Sequence, residues 1–322
     1  MDRRASTAAG LDRLLRCDEA ALDEAAEPIL APDAAWQMMA PLDRLHGREA
    51  IVEGAIRPLR AALRSAHRRD LVLLGGTNRR AAGGEWVAAV LHIVGTHDGP
   101  LWGVAPSGRL AMLRGGEFHR IGADGRIAES RIILDLPDLM RQAGRSPFPP
   151  APGAELTWPG PATQDGICPA GGDGAASLDV VERMLGDLHR YDPRTGASAG
   201  QTGAGGAWAD GMLWWGPGGI GSNHLWDGFV RDHRAGFLRA FPDRKGGDHY
   251  CRIGDGAYAA VSGWPSMTMT HRGDYLGTPA THRALTLRVM DFYRIHHGRI
   301  AENWVLLDYV DLWRQMGRDL LA

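Results

Sequence analysis

Two carboxylates share one face of the last strand that the sequence predicts, and the same arrangement occurs twice in the chain. Side chains alternate between the two faces of a strand, so Glu302 and Asp308 project on the same side as Trp304. An earlier segment places Glu129 and Asp135 together in the same way. A carboxylate in an apolar pocket has a raised pKa and can act as a general base near neutral pH. The pattern indicates acid–base chemistry if this face lines a pocket.

The two aspartates also fit a structural role. Asp308 and Asp311 stand at the start of a predicted helix, where an aspartate caps the free backbone N–H groups of the first turn. Asp135 precedes Asp138 at the same spacing. Spacing does not separate the two interpretations, so Asp135 and Asp308 are either acid–base groups or helix caps.

Two histidines could assist such a carboxylate. His97 and His271 each follow a threonine at the end of a β-rich run. A histidine there could orient a carbonyl group or share a proton with an aspartate, or it could be a hydrogen-bonded residue at a strand end. The histidines form no compact ligand motif, so no metal is expected. The glycine-rich run at 216–221 lacks the strand and downstream partner of a nucleotide loop, so no cofactor is expected either. Metal-ligand spacing is also missing from the three cysteines, which are Cys17, Cys168 and Cys251.

These residues recur because the chain is a tandem duplication. Residues 118–145 read FHRIGADGRIAESRIILDLPDLMRQAGR, and residues 292–318 read FYRIHHGRIAENWVLLDYVDLWRQMGR. With one residue deleted in a turn, sixteen positions are identical. The match continues upstream at an offset of 174, at which His97 aligns with His271 and Gly54 with Gly228. The repeat is the size of a domain, far longer than the repeats of solenoid proteins.

Length, charge and composition restrict the class of protein. The 322 residues suit two domains of about 150 residues. A net charge of −2 and a pI near 6.7 give no electrostatic basis for nucleic-acid binding. No apolar stretch is long enough for a membrane span, and the first residues do not resemble a signal peptide. We therefore expect a cytoplasmic protein with neither a membrane nor a nucleic acid as partner.

The order of predicted elements indicates an α+β fold. We expect domains at 1–150 and 175–322, joined by a linker rich in proline and glycine at 151–174. Each domain reads as helix, strand, helix and then several strands, which favours an antiparallel meander over alternating βαβ units. Among the predicted elements are a helix at 11–29 and two strands at 257–264 and 268–271.

A set of short motifs resembles one family. They are T-H-x-G at residues 96 and 270, G-x-P-A-T at 277–281, R-I-x-x-G-R-I-x-E-x-W, and D-x-x-D-L-x-x-Q-x-G. Together they resemble the SnoaL-like polyketide cyclases of the NTF2-like superfamily, most strongly over 97–145 and 271–318. The resemblance implies two tandem domains, each a curved antiparallel sheet with helices that close a conical cavity.

The resemblance also implies a reaction and a pairing. In the characterised cyclases an aspartate near the end of the last strand is the acid–base group of an intramolecular aldol closure, and its counterparts here are Asp135 and Asp308. His97 and His271 would assist it. Members of the superfamily commonly form homodimers, so the two halves are expected to form a pseudo-dimer within one chain, with further homo-oligomerisation left open.

The two copies differ at positions that would contact a substrate. Trp304 stands where the first copy has Arg131, and His282 stands where the first copy has Gly108. The substrate-binding candidates are Trp304, Glu302, His282, Glu129 and Arg131. We weigh three functions: a cofactor-independent cyclase or isomerase of a hydrophobic, polyketide-like carbonyl compound, a hydrolase that activates water for an epoxide, and a non-catalytic protein of ligand binding or assembly. The fold hosts all three, and either or both pockets could be active.

Overall fold

The computed structural model describes residues 2–188, 190–192, 198–246 and 248–322. It contains two similar halves, each with one large sheet. Among these residues no helix combines the length and the apolar character needed to cross a lipid bilayer.

The first half begins with two helices and continues into a six-stranded sheet. A π-helical turn, Val52–Ile56, joins α3 to α4 without a break. The elements are α1 (Arg3–Arg16), α2 (Leu22–Ala26), β1 (Leu30–Met38), β2 (Arg44–His46), α3 (Arg48–Ile51), α4 (Arg57–Ala62), β3 (Leu63–Thr77), β4 (Glu85–His97), β5 (Leu110–Ile121), β6 (Ile127–Leu134) and α5 (Leu136–Gln142).

The second half repeats this order. It also has a π-helical turn at the matching place, Val230–Arg234. The elements are α6 (Gly174–Leu188), β7 (Trp208–Trp215), β8 (Asn223–His224), α7 (Leu225–Phe229), α8 (Ala235–Ala240), β9 (Lys245–Gly246), β10 (His249–Asp255), β11 (Tyr258–Thr270), β12 (Ala284–His296), β13 (Arg299–Leu307) and α9 (Tyr309–Met316).

The predicted α+β class and the two tandem domains are confirmed, but each sheet is mixed and not purely antiparallel. The meander β3–β4–β5–β6 is antiparallel, as is β10–β11–β12–β13. The first strand of each half instead lies parallel to the last: β1 against β6 and β7 against β13. Such a parallel pair needs a long connection, and here the whole meander supplies it.

Two elements differ from their predicted extents. The predicted helix at 11–29 is interrupted, because α1 ends at Arg16 and Cys17 has an extended backbone. The two strands predicted at 257–264 and 268–271 form one strand, β11. Its register shifts between Gly263 and Met267, around the proline at 265. Proline has no N–H to donate, so a strand carries it at such an irregularity.

The two sheets contact each other. Phe118 on β5 and Phe292 on β12 occupy equivalent positions in the two copies, and their ring centroids lie 5.2 Å apart. Met290 and Leu306 are fully buried in the same cluster. A Cβ atom at Gly116 would lie 2.5 Å from Leu306 Cδ1, so a larger residue here would force the Leu306 side chain to move. The core of the first half therefore continues into the second.

The segment predicted as a linker packs along both halves. Trp158 is 1% exposed, and its indole N–H donates to the Gly216 carbonyl. The Trp304 indole donates to the Pro159 carbonyl. Backbone hydrogen bonds join residues 166 and 168 to Leu73 on the edge strand β3. The segment thus adds contacts between the halves, while the domain boundaries at 150 and 175 stay predictions.

Candidate functional site

Each half encloses a cavity between its sheet and its helices. The second cavity, in the second half, has a volume of about 120 Å³. Its walls come from α6, β7, the helical segment that runs from α7 to α8, and β10 to β13. The first cavity, in the first half, has a volume of about 50 Å³. The second copy therefore keeps more open space.

The strand face that borders each cavity is the opposite of the predicted one. Asn303, Val305 and Leu307 on β13 line the second cavity, and Ile132 and Leu134 on β6 line the first. The predicted faces hold the alternate residues, which are Glu302, Trp304, Leu306 and Asp308 in one copy and Glu129, Arg131, Ile133 and Asp135 in the other. The condition stated for acid–base chemistry, that those faces line a pocket, is not met at these two cavities. A shift of one residue moves every side chain of a strand to the other face.

Asp308 and Asp135 cap helices. The Asp308 carboxylate accepts from the backbone N–H of Asp311, and Asp135 accepts from that of Asp138. Each also binds an arginine of its own sheet, with Arg288 3.0 Å from Asp308 and Arg114 2.8 Å from Asp135. Burial raises the pKa of Asp308 to about 7, and the charge of Arg288 opposes the rise.

The same two carboxylates contact the opposite half. Asp308 accepts from the backbone N–H of Ala40 at 3.2 Å, and Asp135 accepts from that of Gly218 at 2.8 Å. Ala40 and Gly218 follow β1 and β7 at equivalent positions, so the two bonds are related as in a twofold-symmetric dimer. The structure therefore places both aspartates at the contact between the halves, and a catalytic role for them stays a prediction.

The other predicted substrate-binding residues also lie outside the cavities. Glu302 pairs with Arg294 at 2.6 Å and accepts from the Ala162 N–H of the connecting segment. Glu129 accepts from the Tyr250 hydroxyl at 2.5 Å, across the contact between the halves.

Arg131 and Trp304 occupy equivalent positions on this contact face. The Arg131 guanidinium lies over the Tyr250 ring, 4.1 Å from its centroid. Trp304 is fully buried in the cluster that joins the halves. These contacts hold the two halves together, and the substrate-binding role predicted for these residues is untested.

The three predicted histidines lie at strand ends and turns. His97 and His271 are fully buried, and burial lowers the pKa of both. His271 Nδ1 accepts from the Thr281 N–H at 3.2 Å, which is the hydrogen-bonded alternative. Neither histidine is among the described residues that line these two cavities. His282 is exposed and has a left-handed backbone with φ of 58°, close to the 66° of Gly108, so the turn survives the exchange.

Sequence reasoning missed the carboxylate that does line the second cavity, which is Asp291 on β12. The carboxylate is partly exposed to the cavity, and no arginine pairs with it among the residues that the structure describes. Asn303 Nδ2 donates to its Oδ1 at 3.4 Å, and the Tyr293 hydroxyl lies near enough to influence its pKa. Burial raises the pKa of Asp291 to about 7, while these two donors limit the rise. Burial raises the pKa of Tyr293 well above its ordinary value, so its hydroxyl stays a donor.

A second polar group of this cavity is built around His249. Arg252 Nε donates to His249 Nδ1 at 3.1 Å, which leaves the proton on Nε2. That Nε2 lies 3.1 Å from Ser266 Oγ. The neutral ring thus donates to the Ser266 hydroxyl, and His249 and Ser266 both line the cavity. Across the described residues, no three His, Cys, Asp or Glu side chains are grouped to hold a metal.

The first cavity has a different charge arrangement at the equivalent positions. Glu117 aligns with Asp291, His119 with Tyr293 and Ser130 with Asn303. Glu117 binds Arg68 at 2.5 Å and His119 at 3.1 Å. Burial opposes ionisation of Glu117, but Arg68 and His119 outweigh it and lower its pKa to about 2. Glu117 is thus ionised, its charge is balanced by its neighbours, and it does not exchange protons near pH 7.

One signal in the sequence could have located Asp291. Residues 285–295 alternate as L-T-L-R-V-M-D-F-Y-R-I, and Asp291 is the acid on the face otherwise formed by Leu285, Leu287, Val289, Tyr293 and Ile295. An acid on the buried face of a strand is rare unless it is paired or functional. The first copy has a glutamate at the same position.

Comparisons with known proteins agree with this architecture. The model of the SnoaL-like polyketide cyclase family matches residues 11–143 and 227–316, which together exceed half of the chain. No curated protein matches the sequence.

Several solved structures are similar to about half of the chain. IdmH from Streptomyces antibioticus, a proposed polyketide cyclase, is 22% identical with a TM-score of 0.36, over 45% of this chain and 99% of its own. AclR from Streptomyces galilaeus, a proposed hydroxylase, is 18% identical with a TM-score of 0.35, over 45% and 83%. An NTF2-like protein from Burkholderia xenovorans is 12% identical with a TM-score of 0.34, over 45% and 99%. From the family match over both halves, the chain belongs to the SnoaL-like polyketide cyclase family.

Proposed function

We propose that the protein is a cofactor-independent cyclase or isomerase of a hydrophobic carbonyl compound, and that Asp291 in the second cavity is its acid–base group. The observation that carries the proposal is a carboxylate in an apolar cavity with a pKa near 7 and no cationic partner among the described residues. A general base is most effective when its pKa lies near the working pH.

The proposed reaction uses one carboxylate twice. The Asp291 carboxylate removes a proton from the carbon next to a carbonyl group, which leaves an enolate. In an aldol closure that carbon attacks a second carbonyl carbon of the same molecule, and the new alkoxide takes the proton back from Asp291. In an isomerisation the proton returns to a different carbon. Protons and electrons balance in both cases, and no redox step is needed.

Neutral donors of the cavity would stabilise the enolate oxygen. Tyr293 keeps its phenolic proton near pH 7, and Ser266 has a hydroxyl oriented by His249. Hydrogen-bond donors fixed before the reaction stabilise developing negative charge more strongly in a dry site than in water. The aromatic walls, which include Trp208, Trp214 and Phe229, suit an apolar substrate.

We assign the reaction to Asp291 over Asp308 on geometric grounds. Asp308 has a raised pKa as well, but it is bound by three donors and is turned towards the other half. A hydrolase that activates water between two carboxylates has less support, because Asp291 is the one carboxylate among the described lining residues of the second cavity.

We also infer that the two halves stand in for the two subunits of a homodimer. The reciprocal bonds of Asp308 and Asp135 to Ala40 and Gly218 support this arrangement, as does the contact of Phe118 with its equivalent Phe292. The first half would then serve as a partner that supports the second cavity.

The proposal is tested by proton exchange, which requires no knowledge of the natural substrate. The protein is mixed with 2-tetralone or 1-indanone in D₂O, and loss of the α-proton signal is followed by NMR. Wild-type protein should accelerate the exchange, with a rate that rises through about pH 7 as Asp291 ionises. Asp291→Asn should lose roughly a hundredfold to ten-thousandfold of the acceleration.

Matched variants locate the base. Glu117→Gln changes the equivalent carboxylate of the first copy and should leave the exchange rate unchanged. Exchange that survives in Asp291→Asn but is lost in folded Asp308→Asn would move the acid–base role to Asp308. Exchange that wild-type protein does not accelerate for any of a panel of apolar ketones would count against an enzymatic function.

A further inference from the structure

Two buried arginines line the second cavity. Arg234 ends the π-helical turn after α7, and Arg244 lies in the loop before β9. They are 4% and 9% exposed. Both contribute to the cavity wall together with Phe229 and Phe237. A buried guanidinium normally has a carboxylate partner, because an uncompensated charge is costly to remove from water.

Arg244 has no such partner. Its Nη2 donates to the Leu188 carbonyl at 3.3 Å, and its guanidinium faces the Tyr191 ring at 5.1 Å. Its Nε has no hydrogen-bond partner, and throughout the described part of the chain no Asp or Glu forms an ion pair with it. The positions outside that part (1, 189, 193–197 and 247) contain no acidic residue. Among the described residues Arg244 thus has no counter-anion.

The second arginine increases the positive charge at this wall. Burial, followed by the charge of Arg244, lowers the pKa of Arg234 to about 10. Burial and both arginines also lower the pKa of the neighbouring His233 to about 3, so this histidine adds no charge at neutral pH. The first cavity differs, because its one lining arginine, Arg68, is neutralised by Asp70 and Glu117.

We propose that the second cavity takes a ligand with a free carboxylate, which pairs with Arg244 beside Arg234, while the apolar part of the ligand packs against Phe229 and Phe237. The planar guanidinium has parallel N–H donors that match the two oxygens of a carboxylate. The inference rests on the proposed function at this cavity and narrows its substrate class to keto acids. The reacting carbon would lie towards Asp291 on β12 and the carboxylate towards the helices.

Pairs of ligands that differ only in charge test this proposal. Benzoate, cinnamate and 2-naphthoate are compared with their neutral amides by isothermal titration calorimetry of the full chain at pH 7.5. At least one carboxylate should bind wild-type protein roughly ten- to a hundredfold more tightly than its amide, as for a charge-assisted hydrogen bond. Arg244→Gln should remove this preference, and Arg244→Lys should keep part of it.

Controls test whether the carboxylate preference comes from Arg244 itself. Arg231→Gln, in the same helical segment, removes an exposed arginine that pairs with Asp232 and does not line the cavity, so the preference should remain. The titration measures binding without turnover, so the carboxylate site is testable even if Asp291 has no acid–base role. Circular dichroism of each variant confirms folding, and the wild-type comparison alone decides the question if Arg244→Gln does not fold.

Three results would overturn the proposal. They are equal or tighter binding of the amides by wild-type protein, an unchanged preference in folded Arg244→Gln, and no binding of any probe up to its solubility limit. Tighter binding of phenyl phosphate than of benzoate would overturn the assignment to a carboxylate and indicate a phosphoryl group.

Discussion

The two cavities have the same backbone frame and opposite charge arrangements. The first closes an arginine, a glutamate and a histidine into one buried cluster around Glu117. The second leaves an acid, Asp291, and a cation, Arg244, without an ion-pair partner among the described residues. Charges that are paired within the protein stabilise or specify a fold, whereas charges left apart in a cavity are available to a ligand. The difference suggests that the second copy has the binding function.

The largest loss of stability should come from removing the cation of the buried cluster around Glu117. Arg68→Met leaves Glu117 and Asp70 buried without their cation, so the free energy of unfolding should fall by about 3–5 kcal/mol. Arg252→Met in the second copy removes an arginine that is 17% exposed and should cost about 1 kcal/mol or less. Urea denaturation measures both. A small, equal loss in the two variants would mean that the first cluster is not a closed ion pair.

The two capping aspartates should respond unequally. Asp135→Asn removes the carboxylate from Arg114, whose side chain is 2% exposed, and should cost about 2–3 kcal/mol. Asp308→Asn affects Arg288, which is 20% exposed and keeps Asp43 at 3.2 Å. Because burial raises the pKa of Asp308, its ionisation also opposes folding, so a loss of at most about 1 kcal/mol is expected. Both asparagines can still cap their helices. Thermal unfolding measures the difference in stability between the two variants. A larger loss of stability in Asp308→Asn than in Asp135→Asn would contradict this prediction.

Asp291→Asn should stabilise the protein in a pH-dependent way. The folded pKa of about 7 lies above the ordinary value of 3.8, so ionising this group opposes folding. The penalty is absent below the unfolded pKa, grows as the pH rises and is complete above pH 7. The variant should therefore gain on the order of 4 kcal/mol over wild type at pH 8 and almost nothing at pH 4. A gain that does not depend on pH would show that Asp291 titrates normally.

The smallest effect is expected at the turn where the copies differ. His282→Gly relieves a left-handed backbone and should stabilise the protein by about 0.5 kcal/mol. Gly108→Ala puts a side chain on the left-handed backbone of the first copy and should lower the stability by about 1 kcal/mol. Because the His282 side chain is exposed, the proton-exchange rate should not change in His282→Gly. A large loss of exchange would restore the predicted substrate-binding role of His282.

Much of the fold was readable from the sequence because the duplication and its motifs constrain it. The pairing of β1 with β6 was not, since a parallel contact between the first and last strands depends on the whole meander. For the site, the sequence separated the two faces of β13 but did not show which of them borders the cavity. Period-two alternation separates two faces without showing which is concave, and here both faces of the strand are buried. The sequence also offered helix capping as a role for Asp135 and Asp308, and both residues have the geometry of helix N-caps.

The hydrogen bond between Ala40 and Asp308 joins residues 268 positions apart in the chain. Domains generally fold in order as they leave the ribosome, at about 5–20 residues per second. The first half therefore exposes Phe118 and its neighbours for roughly ten to thirty seconds before the second half can cover them. A free dimer would find its partner by diffusion, at a rate set by its concentration. In the fused chain the partner half instead appears after a fixed synthesis time. During that interval the exposed face of the first half is where a chaperone would bind or where two nascent chains would misassemble.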